Sequence, residues 1–359
     1  MAKYSLHFDK RENVSWYSKV LNPVVCIVLA LLFCGIIVFF EGHNPIVVYQ
    51  RMFKNAFGSS FSILESILQA IPLIFCSLGV SVAFRMSINN IGAEGQYAMG
   101  AFAATAVALY CKSIPHNLVI PTMILCGFAL GAIWAVITIL PKVYLGVNET
   151  IITLMSNYIA LLFIDYWCYG PWRDRNGNNY PYSPIFPDYA QFSKFGSSRL
   201  HTGLILAVVV AILLYLFYRY TTQGYQMKVI GDNMKAASYA GINVRRNIII
   251  AMLISGGIAG LAGVTQVGGV TLRLEPNISN GAGYTAIVIA YLSKLDPFVI
   301  VLVSILFGGL IQGGLSLQII GISSKIVTMF QGVILLFVLG GELFNHHKLV
   351  LIKRKKEEN

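Results

Sequence analysis

The sequence is poor in charge: Asp, Glu, Lys and Arg make up 11% of its 359 residues, against about 25% in an ordinary soluble domain. Hydrophobic residues make up 56%, which excludes a water-soluble globule. The sequence also lacks a G-x-x-x-x-G-K-[ST] phosphate loop, an H-E-x-x-H zinc motif and a G-x-S-x-G nucleophile motif. Since no soluble stretch could house a catalytic domain, we predict that the chain is not an enzyme.

Cysteines are few and follow no ligand pattern. All six fall in or at the end of apolar runs, and none forms a C-x-x-C pair or a Cys/His metal spacing. We interpret them as small buried hydrophobic residues. The first apolar run, residues 20–40, lacks a small-x-small cleavage site, so it predicts an uncleaved spanning helix rather than a signal peptide.

Apolar windows of about 20 residues, enough to cross a bilayer core of roughly 30 Å, recur along the chain. The predicted fold is therefore an all-α integral membrane protein with about ten transmembrane helices. The predicted spans are residues 20–40, 63–84, 94–110, 118–140, 150–168, 201–218, 248–267, 282–292, 298–317 and 325–343. They make residues 20–343 one transmembrane domain, preceded by a cytoplasmic segment, 1–19, and followed by a basic cytoplasmic tail, 344–359.

The basic residues indicate orientation. Lys and Arg number 26 against 15 Asp and Glu, a net charge of +11. With a cytoplasmic N-terminus, 17 of the 26 fall in inner segments and 9 in outer ones. This bias and the even number of spans predict both termini inside. The basic run Lys353–Lys356 is interpreted as a flank on an anionic membrane surface, so membrane lipid is the expected partner and nucleic acid is not.

Two stretches outside the membrane stand out by length. The outer loop, residues 169–200, has four prolines among aromatic residues and predicts an irregular extracellular cap. The inner loop, residues 220–247, contains GDNMKAASYAG at 231–241. There Asp232 or Asn233 can cap a short helix that Gly241 ends. The small side chains of this helix predict a smooth surface for docking on another protein.

Polar residues at membrane depth are tolerated only where they are buried in protein or line a wet cavity. The candidate lining of a substrate pathway is Asn89, Asn90, Glu94, Gln96, Asn148, Glu149, Asn157, Gln266 and Asn280. Other roles stay open: Glu94, and Asn148 with Glu149, can satisfy the first N–H groups of a helix. Asn157 can also act as hydrogen-bonding glue between helices.

A short internal likeness suggests a repeat. SNGAGY at residues 279–284, where the eighth span is expected to enter from outside, is similar to the run from Asn90 to Tyr97. The two predicted helices run through the membrane in opposite directions. This pattern is a hint of an inverted repeat, the arrangement that places substrate sites at interrupted helices in many transporters.

Three motifs taken in order resemble bacterial ABC-importer permeases of the branched-chain amino acid, simple sugar and nucleoside type: NIGAEGQ at 90–96, GVNETIITLMSNYIA at 146–160 and GDNMKAASYAG at 231–241. The middle motif is most similar to the nucleoside-uptake branch. The resemblance implies a multi-pass subunit of the bacterial cell membrane that translocates nucleosides. It implies as partners a second homologous permease, an ABC ATPase subunit and an extracellular substrate-binding lipoprotein, with ATP and Mg bound by the ATPase and no cofactor in this chain.

The resemblance also assigns the ATPase-coupling element to the inner loop, at Gly231, Asp232, Asn233, Ala236, Ala237, Ala240 and Gly241. Two alternative functions stay open. One is a simple-sugar ABC permease. The other, from a different class, is an ion-coupled secondary transporter, which the intramembrane carboxylates Glu65, Glu94, Glu149 and Asp165 would suit.

Overall fold

The fold is that of a computed structural model, which describes residues 4–10, 16–111, 113–175, 180–196, 198–323 and 325–353. The basic residues 354–356, parts of the predicted segment 1–19, and residues 176–179 and 197 of the outer loop lie outside the described residues. Within the described ranges the chain is mostly helical, as predicted.

The described helices, in chain order, are α1 (Trp16–Phe40), α2 (Pro45–Phe57), α3 (Ser60–Phe84), α4 (Ala93–Tyr110), α5 (His116–Leu145), α6 (Glu149–Tyr169), α7 (Gly203–Tyr220), α8 (Thr222–Asp232), α9 (Met234–Tyr239), α10 (Val244–Gln266), α11 (Ala282–Leu292), α12 (Pro297–Leu315) and α13 (Lys325–His346). A π-helical turn, Val267–Thr271, extends α10, and 3-10 turns cover Asp188–Ala190 and Ser316–Ile320. The strands are β1 (Tyr4–Lys10) and β2 (His347–Lys353).

Each of the ten predicted spans coincides with a helix. Among the described residues six helices are long and apolar enough to cross a membrane, namely α3, α5, α6, α7, α10 and α12. A seventh would be added if α1 and α2, bent by 117° at their junction, form one span. The number ten for the spans therefore stays a prediction.

The helices α4 and α11 coincide with predicted spans but are not among the helices long and apolar enough to cross a membrane. Glu94, Gln96 and several glycines make α4 less apolar than a lipid-facing helix, yet nearly all of its residues are buried by protein. A helix surrounded by protein needs no apolar outer surface. At 11 residues α11 is only about 16 Å long, too short to cross a bilayer alone.

The two end segments depart from the all-α prediction. β1 pairs antiparallel with β2, with Tyr4 opposite Lys353 and Lys10 opposite His347. Both segments are rich in Leu, Val, Ile, Phe and Tyr, which favour strands, and the pairing satisfies their backbone hydrogen bonds. Each segment is only seven residues long, too short to be recognised as a span, so the ribbon was not predicted.

Contacts divide the chain into two compact units: Met1–Met52 together with Gly314–Asn359, and Phe53–Gly313. In the first unit α1 packs against α13. In the second, α10 packs against α3, α4 and α5. A side chain at Gly100 would collide with the backbone of Gly260, so α4 and α10 touch backbone to backbone. The predicted boundaries at residues 19 and 343 stay predictions.

The predicted burial of the cysteines holds for Cys26, Cys34, Cys76 and Cys168. Cys126 is half-buried, and Cys111 is exposed. The expectation was wrong for Cys111 because this residue directly follows the last residue of α4, where the chain leaves the packed bundle. Cys111 is therefore the most accessible of the six thiols.

Candidate functional site

The first turns of α4 and α11 meet inside the second unit, at Glu94. The Glu94 carboxylate is 1% exposed and accepts hydrogen bonds from Ser279 Oγ (2.5 Å), Gly281 N (2.8 Å) and Gly283 N (2.7 Å). The first N–H groups of a helix have no partner within it, and a negative charge stabilises this end of the helix dipole. Glu94 thus caps α11, a helix almost 190 residues further along the chain.

From Glu94 the two helices lead to different parts of the unit. α11 leads back to the end of α3, where Arg85 Nη2 donates to Leu295 O (2.7 Å). α4 leads to Trp172 of the outer loop, whose ring packs on Tyr110. The first turn of α11 lies where Glu94 supplies acceptors for its N–H groups, and the entry of the eighth span from outside stays a prediction. The two similar motifs do meet there, and the inverted repeat stays a prediction.

Two of the predicted pathway amides, Asn90 and Gln96, are fully buried and bind each other. Asn90 Nδ2 donates to Gln96 Oε1 (3.3 Å), and Gln96 Nε2 donates to Asn90 Oδ1 (3.2 Å). Asn90 Nδ2 also donates to Ser255 Oγ on α10 (3.0 Å). These amides therefore join the segment before α4 to α10.

Asn157, also fully buried, joins α6 to the same segment. Its Oδ1 accepts from Gly95 N (2.9 Å), and its Nδ2 donates to Ile91 O (2.9 Å) and Tyr284 Oη (3.2 Å). These hydrogen bonds link α6 to neighbouring helices, which is the alternative role that the sequence left open for Asn157. The structure thus brings four predicted residues, Asn90, Glu94, Gln96 and Asn157, into one buried network.

The predicted residues at the start of α6 lie at the edge of this network. Asn148 is exposed and caps α6 by accepting from Thr150 N (2.9 Å). Glu149 forms an ion pair with Lys142 Nζ (2.9 Å) and lies 3.5 Å from the backbone N of the exposed Asn89. Asn148 therefore makes the capping contact that was its alternative interpretation, whereas Glu149 contacts Lys142 and the segment before α4.

Of the remaining candidates, Asn280 lies between Ser279 and Gly281, which both bind Glu94, and its side chain accepts from Asn277 Nδ2 (3.2 Å). Gln266 is half-buried and is the last residue of α10. Asn280 lines a cavity of about 330 Å³, a volume within the usual range of small-molecule sites, together with Tyr169, Pro181, Tyr182, Glu275, Pro276 and Asn277. Of these lining residues only Asn280 was a predicted candidate, because the cavity joins the outer loop to a segment about a hundred residues later.

Hydrogen bonds and a cation–π contact join the two chain segments that line this outer cavity. Ser183 N donates to Leu274 O (3.0 Å), and Leu274 N donates to Ser183 Oγ (2.9 Å). The Arg273 guanidinium lies 4.0 Å from the centre of the Tyr182 ring, a cation–π contact. Burial raises the pKa of the Glu275 carboxyl, and the charge of Arg273 opposes that rise. The cavity therefore combines aromatic faces with a carboxyl and two amides.

The predicted capped helix of the inner loop is present as α9. Asn233 Oδ1 accepts from Lys235 N (3.0 Å) and Ala236 N (3.1 Å), and Gly241 adopts a left-handed φ of +79°. Asn233 is therefore the cap, while Asp232 is the exposed last residue of α8. Of the predicted docking residues, Gly241 is also exposed.

The alanines of α9 do not share one surface. Ala236 and Ala240 are exposed, whereas Ala237 is fully buried. Tyr239 is 93% exposed, which makes it the most prominent apolar ring of the helix. The expectation that Ala237 belongs to the docking surface was wrong, because in a short helix resting on the bundle one face must pack inward. The exposed face offers Ala236, Tyr239 and Ala240.

The inner loop touches the segment that leads to the buried network. Ser87 Oγ donates to Gly231 O (3.1 Å), and a side chain at Gly231 would collide with the carbonyl oxygen of Arg85. The Arg85 guanidinium lies 3.8 Å from the centre of the Tyr218 ring. The end of α8 is therefore in direct backbone contact with the chain between α3 and α4.

Gly231→Val is expected to lower the melting temperature of the purified protein, because the added side chain meets backbone that cannot move aside cheaply. Overpacking of this kind costs about 1–3 kcal/mol. Differential scanning fluorimetry in detergent measures the shift, with Ala236→Val at an exposed site of α9 as the matched control. Equal melting temperatures for the two variants would contradict the close contact.

Apolar helices long enough to cross a membrane, packed with a buried polar network, are typical of an integral membrane protein. The chain belongs to the family described as "Branched-chain amino acid transport system / permease component", which matches residues 62–339. It is an ABC transporter permease and a multi-pass protein of the cell membrane. Permeases of this family are transport components rather than enzymes, and the family implies an ATPase and a substrate-binding protein as partners.

Three curated relatives are similar over most of their length. A guanosine ABC transporter permease protein, NupP, of Bacillus subtilis is 32% identical over 89% of this chain and 93% of its own. A nucleoside ABC transporter permease protein, NupB, of Lactococcus lactis is 31% identical over 89% and 90%. A glucose ABC transporter permease protein, TsgB13, of Haloferax volcanii is 29% identical over 96% and 93%.

Proposed function

We propose that the chain translocates nucleosides across the cytoplasmic membrane as one permease subunit of an ABC importer. A second homologous permease, an ATPase that binds ATP and Mg, and an extracellular substrate-binding lipoprotein complete the proposed complex. The observation that carries the nucleoside assignment is the similarity to two relatives named for guanosine and for nucleosides. The outer cavity supports it, since tyrosine rings beside amide and carboxyl groups suit a heterocycle joined to a sugar.

We place both ends of the chain in the cytoplasm and treat the ten helices that coincide with predicted spans as membrane segments. Two observations support this orientation. The basic residues divide 17 to 9 in its favour. The pairing of β1 with β2 also requires that these two segments lie on the same side of the membrane.

We assign ATPase docking to α9. Its exposed face carries a protruding tyrosine, Tyr239, between small residues, Ala236 and Ala240, a shape that suits insertion into a groove. Closure of the ATPases on ATP would push α9 and α8. Through Gly231, Ser87 and Arg85 the push would reach the segment before α4 and rock the bundle from inward-open to outward-open.

A neutral nucleoside needs no proton relay, and the carboxylates of the alternative ion-coupled mechanism are mostly engaged elsewhere. Glu65 lies 3.3 Å from Arg199, Glu149 pairs with Lys142, and Glu94 accepts three hydrogen bonds. These contacts, together with the family, favour ATP over an ion gradient as the energy source. A simple sugar is the second candidate substrate, favoured by the similarity to the glucose permease.

The test is uptake by proteoliposomes that contain this chain with its second permease, ATPase and binding protein. We expect ATP-dependent accumulation of radiolabelled guanosine or adenosine, competed by unlabelled nucleosides and not by glucose. A Walker-A lysine substitution in the ATPase is the control and should stop uptake. Transport of glucose without nucleosides would overturn the substrate assignment, and uptake that survives the ATPase substitution would overturn the ABC mechanism.

A further inference from the structure

The exposed face of α6 carries a line of polar side chains. Tyr158, Asp165 and Tyr169 are spaced i, i+7 and i+11, which at about 100° per residue places them within roughly 40° of arc. Tyr158 is 55% exposed, Tyr169 is 62% exposed and Asp165 is half-buried. These three residues are called the α6 stripe.

The α6 stripe is a poor surface for lipid. In the part of the chain that the structure describes, neither the Tyr158 hydroxyl nor the Asp165 carboxylate has a hydrogen-bond partner. Tyr158 lies near the midpoint of the 21-residue helix, where hydrocarbon offers a hydroxyl no partner. Ionisable groups within spans usually face a water-filled path rather than lipid. By contrast Leu162, Met155 and Ile159, about 40–100° further around α6, are exposed and apolar, and the exposed Ile151 continues the line of the stripe beyond Tyr158.

The α6 stripe connects the two features already described. At one end Tyr169 lines the outer cavity beside Glu275 and Asn280. At the other end Tyr158 follows Asn157, which binds Tyr284 of α11. Eleven residues of helix separate the two ends, a distance of about 16 Å. The stripe therefore leads from the cavity to the level at which α4 and α11 meet.

We propose that the α6 stripe is one wall of a water-filled substrate path, in which the Tyr158 ring stacks on the base and Asp165 accepts hydrogen bonds from the ribose hydroxyls. The ligand chemistry rests on the proposed function, whereas the water-filled path rests on the stripe itself. A carboxylate has two acceptor oxygens and can accept from both vicinal hydroxyls. Stacking on a tyrosine tolerates different bases.

Cysteine labelling of the assembled transporter tests the path independently of its substrate. In a Cys111→Ser background, Tyr158→Cys and Asp165→Cys are treated with a charged, membrane-impermeant methanethiosulfonate reagent. Ile159→Cys on the apolar side of α6 is the matched control. We expect labelling of the first two variants well above the control. Labelling of Tyr158→Cys no faster than Ile159→Cys would overturn the proposal.

Transport kinetics test the residue roles. Tyr158→Leu should raise the KM for adenosine about tenfold, and Asp165→Asn should do so for adenosine but less for 2′,3′-dideoxyadenosine, which lacks the hydroxyls. Tyr166→Phe, which removes a hydroxyl from a tyrosine about 80° around the helix, should leave the KM unchanged. Unchanged KM values in both stripe variants would overturn the contacts with substrate.

The two proposals fail in different ways. If the wild-type complex transports no nucleoside but the labelling pattern holds, the substrate assignment is wrong and the path along α6 stands. If the wild type transports nucleosides but the stripe cysteines stay unlabelled, the path is wrong and the proposed function stands.

Discussion

Glu94→Gln is expected to destabilise the bundle although it changes only one side-chain atom. One carboxylate oxygen accepts from Ser279 and Gly281 and the other from Gly283. Glutamine keeps a single acceptor oxygen, so its NH2 group would face the donors at one of these two positions. A buried donor left without an acceptor costs about 1–3 kcal/mol. With at least one donor left without its acceptor, we expect a loss of about 1–3 kcal/mol, or roughly 2–6 °C in melting temperature at about 2 °C per kcal/mol.

The measurement is thermal unfolding of the purified protein in detergent, with Glu41→Gln at an exposed carboxylate as the control. Glu94→Asp keeps the charge but shortens the reach, so it should fall between wild type and Glu94→Gln. A Glu94→Gln variant that keeps the wild-type melting temperature and loses only uptake would show that Glu94 contacts substrate rather than capping α11.

Ala236→Arg is expected to abolish assembly with the ATPase while leaving the permease itself folded. Ala236 is exposed on α9, beside the protruding Tyr239, so a large charged side chain there would block a groove without disturbing the bundle. Co-purification of the ATPase and uptake should both fall to background, with an unchanged melting temperature. Tyr239→Ala should weaken ATPase binding by roughly 30-fold, the effect of losing about 2 kcal/mol at an aromatic anchor.

Ser193→Arg is the matched control, since it adds the same charge at an exposed position of the outer loop and should change neither readout. Ala237→Arg is unsuitable for this purpose. Its methyl group is fully buried, so the arginine should destabilise the fold and reduce assembly for that reason alone. Normal co-purification with Ala236→Arg would refute the docking role of α9.

Much of the fold was predictable because it depends on local pattern. An apolar run satisfies its backbone hydrogen bonds in a membrane by forming a helix, so each predicted span coincides with a helix, including the short α11. The helix α9 was predictable for a similar reason, since a cap residue such as Asn233 and a left-handed glycine such as Gly241 act within a few residues. The β1–β2 ribbon was missed because its partners lie at opposite ends of the chain.

The sequence predicted which polar residues avoid lipid at the candidate site, but not which partners their side chains bind. Reading Asn90 and Asn157 as polar groups that must avoid lipid was sound, because a membrane offers them no partners. Whether they face a path or one another depends on residues far away in sequence, such as Ser255 for Asn90 and Tyr284 for Asn157. Both side chains bind protein, and it is the α6 stripe that carries polar groups on an exposed face.

The sequence by itself determined that this protein is a membrane-embedded helical permease with a capped helix in its inner loop. Hydropathy, caps and motifs are local properties, so the residues near each position settle them. Only the tertiary structure decided that Glu94 caps α11, that Ala237 points inward and that an outer cavity joins residues about a hundred positions apart. The reason is physical: a buried polar group is satisfied by whichever donors and acceptors the packed helices bring to it.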